Sequence, residues 1–179
     1  VNISASTTLN GTTADVLSIV NDATVTTATD YATTLSDPAS VANANTILGD
    51  TSGIVTAVVA SDSASNLNTN LANASATDAL TLTVSGTSAV ASDLIGLDGK
   101  TSVNVKADGT VTTITGTAAN IQTVVSAATI DTAANVNVTV DSGTATVAQQ
   151  IAIDAQTTGT ITATIAEGDV SSLKTLTAS

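Results

Sequence analysis

The feature that most constrains this 179-residue chain is an internal repeat of about fifty residues. Three segments carry it: residues 47–55 (ILGDTSGIV), 93–105 (DLIGLDGKTSVNV) and 153–161 (IDAQTTGTI). Aligned on Thr51, Thr101 and Thr157, they lie 50 and 56 residues apart. A second series, Val16, Leu67, Ile121 and Leu173, is spaced by 51, 54 and 52 residues. From each threonine to the next member of that series is 16, 20 and 16 residues, which puts about four extra residues near Ala107-Asp108-Gly109. A fixed period of this size is the mark of a repeat architecture.

Within each period the apolar pattern switches between two rhythms. Leu80, Leu82 and Val84 alternate with Thr81 and Thr83, as on a strand with one buried face. Val16, Ile19 and Val20, and likewise Ile121, Val124 and Val125, are spaced as on a helix. The pattern predicts strands at 1–3, 31–35, 54–59, 80–84, 103–105, 111–115, 136–140 and 160–165. It predicts helices opening at Thr12 or Thr13, Asp37-Pro38 (ending at Gly49), Ser61-Asp62-Ser63, Ser85-Gly86-Thr87, Ser142-Gly143-Thr144 and Asp169, and a further one over 116–125, where residues 116–121 (GTAANI) are similar to 11–16 (GTTADV) at most positions. Val90, Leu94 and Leu97 are the expected buried face of the fourth helix, Val147 and Ile151 of the sixth. Residues 23–29 read as a connection.

Each period therefore holds two strand–helix units of about 25 residues. Short strands joined through helices imply parallel pairing. The expected fold class is α/β, a repetitive solenoid of short parallel strands and short helices. It forms a single repeat-built domain over 1–179, with repeats at roughly 1–29 (partial), 30–79, 80–135 and 136–179. Neither end carries an evident cap, so the expectation is a segment of a longer array or of copies stacked end to end.

Composition limits what such a chain can do. Tyr31 is the only aromatic residue, and Phe, Trp, Met, Cys and His are absent, so the core is Val, Ile, Leu and Ala. Fifteen acids against Lys100, Lys106 and Lys174 give a net charge of −12. That charge repels a phosphate backbone and rules against nucleic acid as partner. No run of about 20 apolar residues offers a membrane span.

Catalytic patterns fail one by one. Asp141-Ser142-Gly143 has the local sequence of an aspartic protease loop, but Asp50 with Ser52-Gly53 lies one residue out of register with it. Without histidine there is no serine-hydrolase base, and without cysteine as well there is no zinc site. No phosphate-binding loop precedes a lysine. The chain reads as no enzyme. Calcium is the one cofactor with candidate ligands, the carboxylates of Asp98, Asp108, Glu167 and Asp169, with residues 107–109 the first place to look. Asp-Gly pairs also favour turns on their own account. The Thr-x-Thr runs at Thr81/Thr83, Thr110/Thr112 and Thr160/Thr162/Thr164 suggest an ice-binding ladder, but Asn104 and Asn137 interrupt the series, so ordinary solvent-facing threonine is expected.

Residues 94–101 (LIGLDGKT) and 113–119 (TITGTAA) resemble repeats of very large secreted surface proteins of bacteria, notably cyanobacteria. The resemblance implies an extracellular structural array, an S-layer, surface filament or stalk, whose partners are other copies or adjacent repeats of the same chain. The alternative it admits is an adhesin holding calcium or cell-surface polysaccharide on a Thr/Asn face. Against that alternative stands the absence of aromatic platforms.

Overall fold

The computed structural model describes residues 1–176. The chain is α/β. In order it forms β1 (Asn2–Ile3), α1 (Thr13–Val20), β2 (Thr26–Thr27), β3 (Thr33–Thr34), α2 (Val41–Asp50), β4 (Val55–Val58), α3 (Ala64–Asn70), β5 (Ala79–Thr81) and β6 (Ser88–Val90). It continues through α4 (Ala91–Asp98), β7 (Val105–Lys106), β8 (Thr113–Gly116), α5 (Ala118–Ser126), β9 (Ile130–Asp131), β10 (Asn137–Val140), α6 (Val147–Asp154), β11 (Ile161–Thr162) and α7 (Val170–Leu173).

Every strand pairing among the described residues is parallel. The sheets have the orders β1-β2, β3-β4-β5, β7-β9 and β11-β10-β8-β6. Partners lie 20 to 25 residues apart throughout, from Ala39 beside Val59 to Ser88 beside Thr113 and Val105 beside Ile130. An isolated bridge from Thr83 to Lys106 carries the β3-β4-β5 row on to β7 and β9. Helices α1 to α6 pack each against the next, and one or two short strands lie between each helix and its successor.

The strand residues divide as the alternation predicts. Leu80, Leu82 and Val84 are buried, whereas Thr83 is exposed. In β6, β8, β10 and β11 the register aligns Ala89, Ile114, Val138 and Ile161 in one inward column. That column meets a helix layer built from Ala44, Ile47, Leu67, Leu94, Leu97, Ile121, Val124 and Ile153, all buried in one continuous cluster. Small aliphatic side chains suffice because each helix packs only on the adjacent helices and on short strands near it in the chain, as α4 does on β6, β7 and β8.

Side-chain caps start most helices. Thr12, Ser40, Ser63, Thr117, Thr146 and Asp169 each accept a hydrogen bond from the backbone N–H three residues on, and Thr146 with Gln149 completes a capping box. Only α4 begins with no side-chain cap.

Several local expectations are corrected. The second helix opens at Ser40, not at Asp37-Pro38, because the Asp37 carboxylate is occupied elsewhere: it accepts the Thr13 N–H (2.6 Å) and hydroxyl (3.0 Å) of the preceding unit. Gly49 lies inside α2 rather than ending it. A Cβ there would stand 2.7 Å from the Asn73 side chain, so the glycine serves close approach between units. Val90 belongs to β6, not to a helix face, and is 42% exposed, with Ala89 buried in its place. Ile151 likewise turns outward at 45% exposure while Ile153 is buried. Thr146 rather than the 142–144 turn caps α6. Residues 23–29 contain β2.

The extra residues of the middle repeat are split in two places. Lys106 and Thr113 are seven residues apart, whereas their partners Thr83 and Ser88 are five apart. A further Gly116-Thr117 separates Thr115 from α5, where its partner Val90 runs straight into α4. Gly116 (φ +139°) makes that step in backbone space closed to L side chains.

Two glycines are fixed by contact between units. A Cβ on Gly53 would lie 2.3 Å from the Tyr31 carbonyl oxygen, and one on Gly159 2.3 Å from that of Val136. Gly53→Ala and Gly159→Ala are expected to destabilise the fold by about 1–3 kcal/mol through forced backbone shifts. Gly109→Ala, with nothing within 4 Å of its added carbon, should change stability by less than about 0.5 kcal/mol. Urea denaturation followed by circular dichroism measures all three.

Candidate functional site

Thr51, Thr101 and Thr157, the residues on which the sequence repeat aligns, occupy equivalent places after α2, α4 and α6 and are all buried. Each hydroxyl donates to a backbone carbonyl in the preceding unit: Thr51 to Tyr31 (2.6 Å), Thr101 to Leu80 (2.8 Å) and Thr157 to Val136 (2.6 Å). Each also accepts the N–H two residues ahead, from Gly53, Val103 and Gly159, at 3.0 to 3.1 Å. One hydroxyl thus closes a local turn and ties it to the neighbouring unit.

The acids perform a related task. Asp78, 4% exposed, accepts the Val55 N–H across the unit boundary and both the N–H and hydroxyl of Ser75, all at 2.9 Å. Three bonds of this kind satisfy a carboxylate that would otherwise be costly to bury. Asp93 accepts from the Asn68 amide (3.1 Å) and Asp131 from the Asn104 amide (3.0 Å), again across units.

The four candidate calcium ligands do not share one role. Glu167 accepts the N–H of Val147 at 3.0 Å, the first residue of α6, twenty positions upstream. Asp169 caps α7, accepting the Ser172 N–H (2.8 Å) and the Ser171 hydroxyl. The hydrogen bond from Ser171, followed by those from Ser172, lowers its carboxyl to about 2. Asp98 closes α4 and Asp108 is exposed on the loop after β7. Asp108 borders a cavity of about 290 Å³ with Asn135 and Asn137. Among the described residues, no three His, Cys, Asp or Glu side chains gather into a metal-sized group.

The outer sheet face is where threonines stand free. Val90, Thr115, Thr139 and Thr162 form one register column, and Ser88, Thr113 and Asn137 another. Asn137 interrupts the second column, and its side-chain oxygen accepts the Thr160 N–H at 2.9 Å. The second interruption, Asn104, donates to the Ala128 carbonyl (3.1 Å) as well as to Asp131. Lys100 and Asp50 also have structural partners. Lys100 donates from Nζ to the Leu71 carbonyl (2.9 Å), and Asp50 accepts the Tyr31 hydroxyl (2.8 Å).

Sequence reasoning found the three threonines as alignment points but not as the joints between units. Asp37 and Asp78 were missed as cross-unit acceptors. The available signal was their placement 24 and 23 residues after the N–H groups they receive, close to one unit.

Removing one buried hydroxyl isolates its contribution. Thr101→Val leaves the Leu80 carbonyl and N–H without their side-chain partner and is expected to cost about 1–3 kcal/mol. Thr115→Val, on the outer column, should stay within about 0.5 kcal/mol in the same denaturation assay. Tyr31 supplies a second test. Burial first, and then the hydrogen bond to Asp50, push its phenol above the ordinary value of 10. Below that value the tyrosine is neutral in both states and stability is unaffected. Above it the unfolded chain alone loses the proton, so stability falls as pH rises. Absorbance at 295 nm should therefore report tyrosinate only together with unfolding, whereas an independent titration near 10 would contradict the burial.

No family model, no curated protein and no solved structure matches this chain. Among the described residues, no helix is long and apolar enough to cross a membrane.

Proposed function

We propose that this chain is a structural segment of a secreted bacterial surface protein, a solenoid of strand–helix units that serves as scaffold or stalk in an extracellular layer or filament. The observation that carries the reading is the constant step: every strand pairing is parallel and joins residues 20 to 25 positions apart. A second support is the use of buried polar groups. Thr51, Thr101, Thr157 and Asp78 spend their hydrogen-bonding capacity on cohesion between successive units. In this reading the chain performs no reaction, and its partners are further units of its own kind.

The alternative, an adhesin that holds calcium or cell-surface polysaccharide, would use the outer face. Its support is the column Thr115, Thr139 and Thr162, whose hydroxyls have no protein partner among the described residues. Scaffold is favoured because the buried, invested polar groups face neighbouring units and not solvent.

A solenoid is modular, with stability summed over units and their nearest-neighbour contacts. Excising residues 51–100 joins α2 directly to Thr101, which can then take the place of Thr51 against the Tyr31 carbonyl. The shortened chain is expected to fold with the same helix and strand proportions by circular dichroism, at lower stability, with Tyr31 still shielded. An unfolded product would sink the modular reading.

A further inference from the structure

We propose that Asn10-Gly11 is a modification site, where water converts the asparagine to aspartate or isoaspartate once the joint to the next unit opens, and that isoaspartate then keeps the joint from closing again. The inference rests on the geometry of this joint and holds for a scaffold and an adhesin alike. Asn10-Gly11 is the one Asn-Gly pair in the chain. With no Cβ on the following residue to obstruct ring closure, the Gly11 nitrogen can reach Cγ of Asn10 when the backbone is free to turn. That attack forms a C–N bond and closes a succinimide, while the Asn10 amide nitrogen takes up the Gly11 proton and leaves as ammonia. Water then opens the ring. Addition at the side-chain carbonyl gives aspartate. Addition at the main-chain carbonyl gives isoaspartate, in which the main chain runs through the former side chain.

In the folded chain the next unit holds both reacting groups. The Asn10 side-chain oxygen accepts the Thr34 N–H at 2.8 Å, and the Gly11 N–H donates to the Thr34 carbonyl at 3.3 Å. The row continues on either side. The Leu9 N–H donates to the Ala32 carbonyl and the Ser36 N–H to the Gly11 carbonyl, both at 2.9 Å, and the Thr13 N–H to Asp37 at 2.6 Å. A nitrogen engaged in this row cannot turn onto Cγ, so conversion waits for local opening and follows the population of the open joint. The two products then diverge. Aspartate keeps the oxygen that Thr34 uses and loses only the amide nitrogen, which has no protein partner among the described residues. Isoaspartate adds one carbon, about 1.5 Å, to the main chain between Leu9 and Gly11. Leu9 and Gly11 then cannot both meet Ala32 and Thr34, because the row pairs them residue by residue. Asn137 is the internal comparison. Its oxygen accepts the Thr160 N–H at 2.9 Å in the same manner, but Val138 follows it, and that side chain hinders the ring.

The test ages the chain in mildly alkaline buffer, folded and in urea, and follows Asn10 and Asn137 by peptide mass mapping. In urea Asn10 is expected to convert ahead of Asn137. In native buffer its conversion should be slower by about tenfold or more, a measure of how seldom the joint opens. Asp37→Ala leaves the Thr13 N–H without its acceptor and should raise the native rate by about fivefold or more, with the rate in urea unchanged. Gly11→Ala, whose added Cβ meets only Asp15 and no closer than 3.5 Å, should fold and keep the Asn10 amide in both buffers. After urea is removed, hydrogen exchange should find the Gly11 and Thr34 amides protected in Asn10→Asp and unprotected in isoaspartyl chains, with later units protected in both. Equal rates in native buffer and urea would overturn the clamp, and an Asn10 amide that persists in urea would remove the site. Isoaspartyl chains that regain a fully protected joint would overturn the latch.

Discussion

The fold depends on a buried hydroxyl that reaches backward. Thr51, Thr101 and Thr157 sit where a helix gives way to the next strand, and each must satisfy its oxygen without water. They do so by donating to the preceding unit and accepting from their own turn. A Val or Ala at these places would pack equally well but would leave backbone groups unpaired at the joint. The hydroxyl therefore fixes the step between units more narrowly than apolar contact does, since hydrophobic burial is indifferent to direction.

This division of labour explains how a core almost without aromatics holds together. The aliphatic columns, such as Ala89, Ile114, Val138 and Ile161, supply the driving force but little specificity. Polar groups at the unit boundaries supply register. Asp37, Asp78 and Glu167 accept backbone N–H groups one unit back, two of them at the first residue of a helix, where donors lack partners and a negative charge is favoured. Much of the acidity of the chain thus has a structural use, which needs no cation. The single tyrosine follows the same logic, its ring buried and its hydroxyl bonded to Asp50.

A good part of this was legible in the residues. The threonine anchors gave the period, the alternation at Leu80, Leu82 and Val84 gave the inward face, and the Ser61-Asp62-Ser63 run and Asp169 marked helix starts that the structure has. Misreadings arose where a local signal was spent on a distant partner. Asp37-Pro38 has every local feature of a helix start, yet its carboxylate serves Thr13, and Ser40 takes over the cap. Val90 and Ile151 fit a helical spacing and still face outward, because Ala89 and Ile153 fill the interior positions. The four extra residues of the middle repeat showed in the spacing as one insertion, and the pairing divides them between a loop and a glycine step before α5.

The sequence by itself determined the period, the α/β alternation, the aliphatic character of the core and the parallel sense of the strands. These follow from residue spacing and from the geometric need of a crossover to return to the same edge. Only the tertiary structure decided which hydroxyls are joints and which stand free, and which carboxylates cap a neighbour. It also decided where each strand row begins and ends. Thr101 and Thr115 are the same residue type fourteen positions apart, one buried and hydrogen-bonded on several sides, the other half-exposed on the outer column. The physical reason is that a hydrogen bond is defined by both partners. Here the second partner lies a whole unit away along the chain, where no local pattern records it.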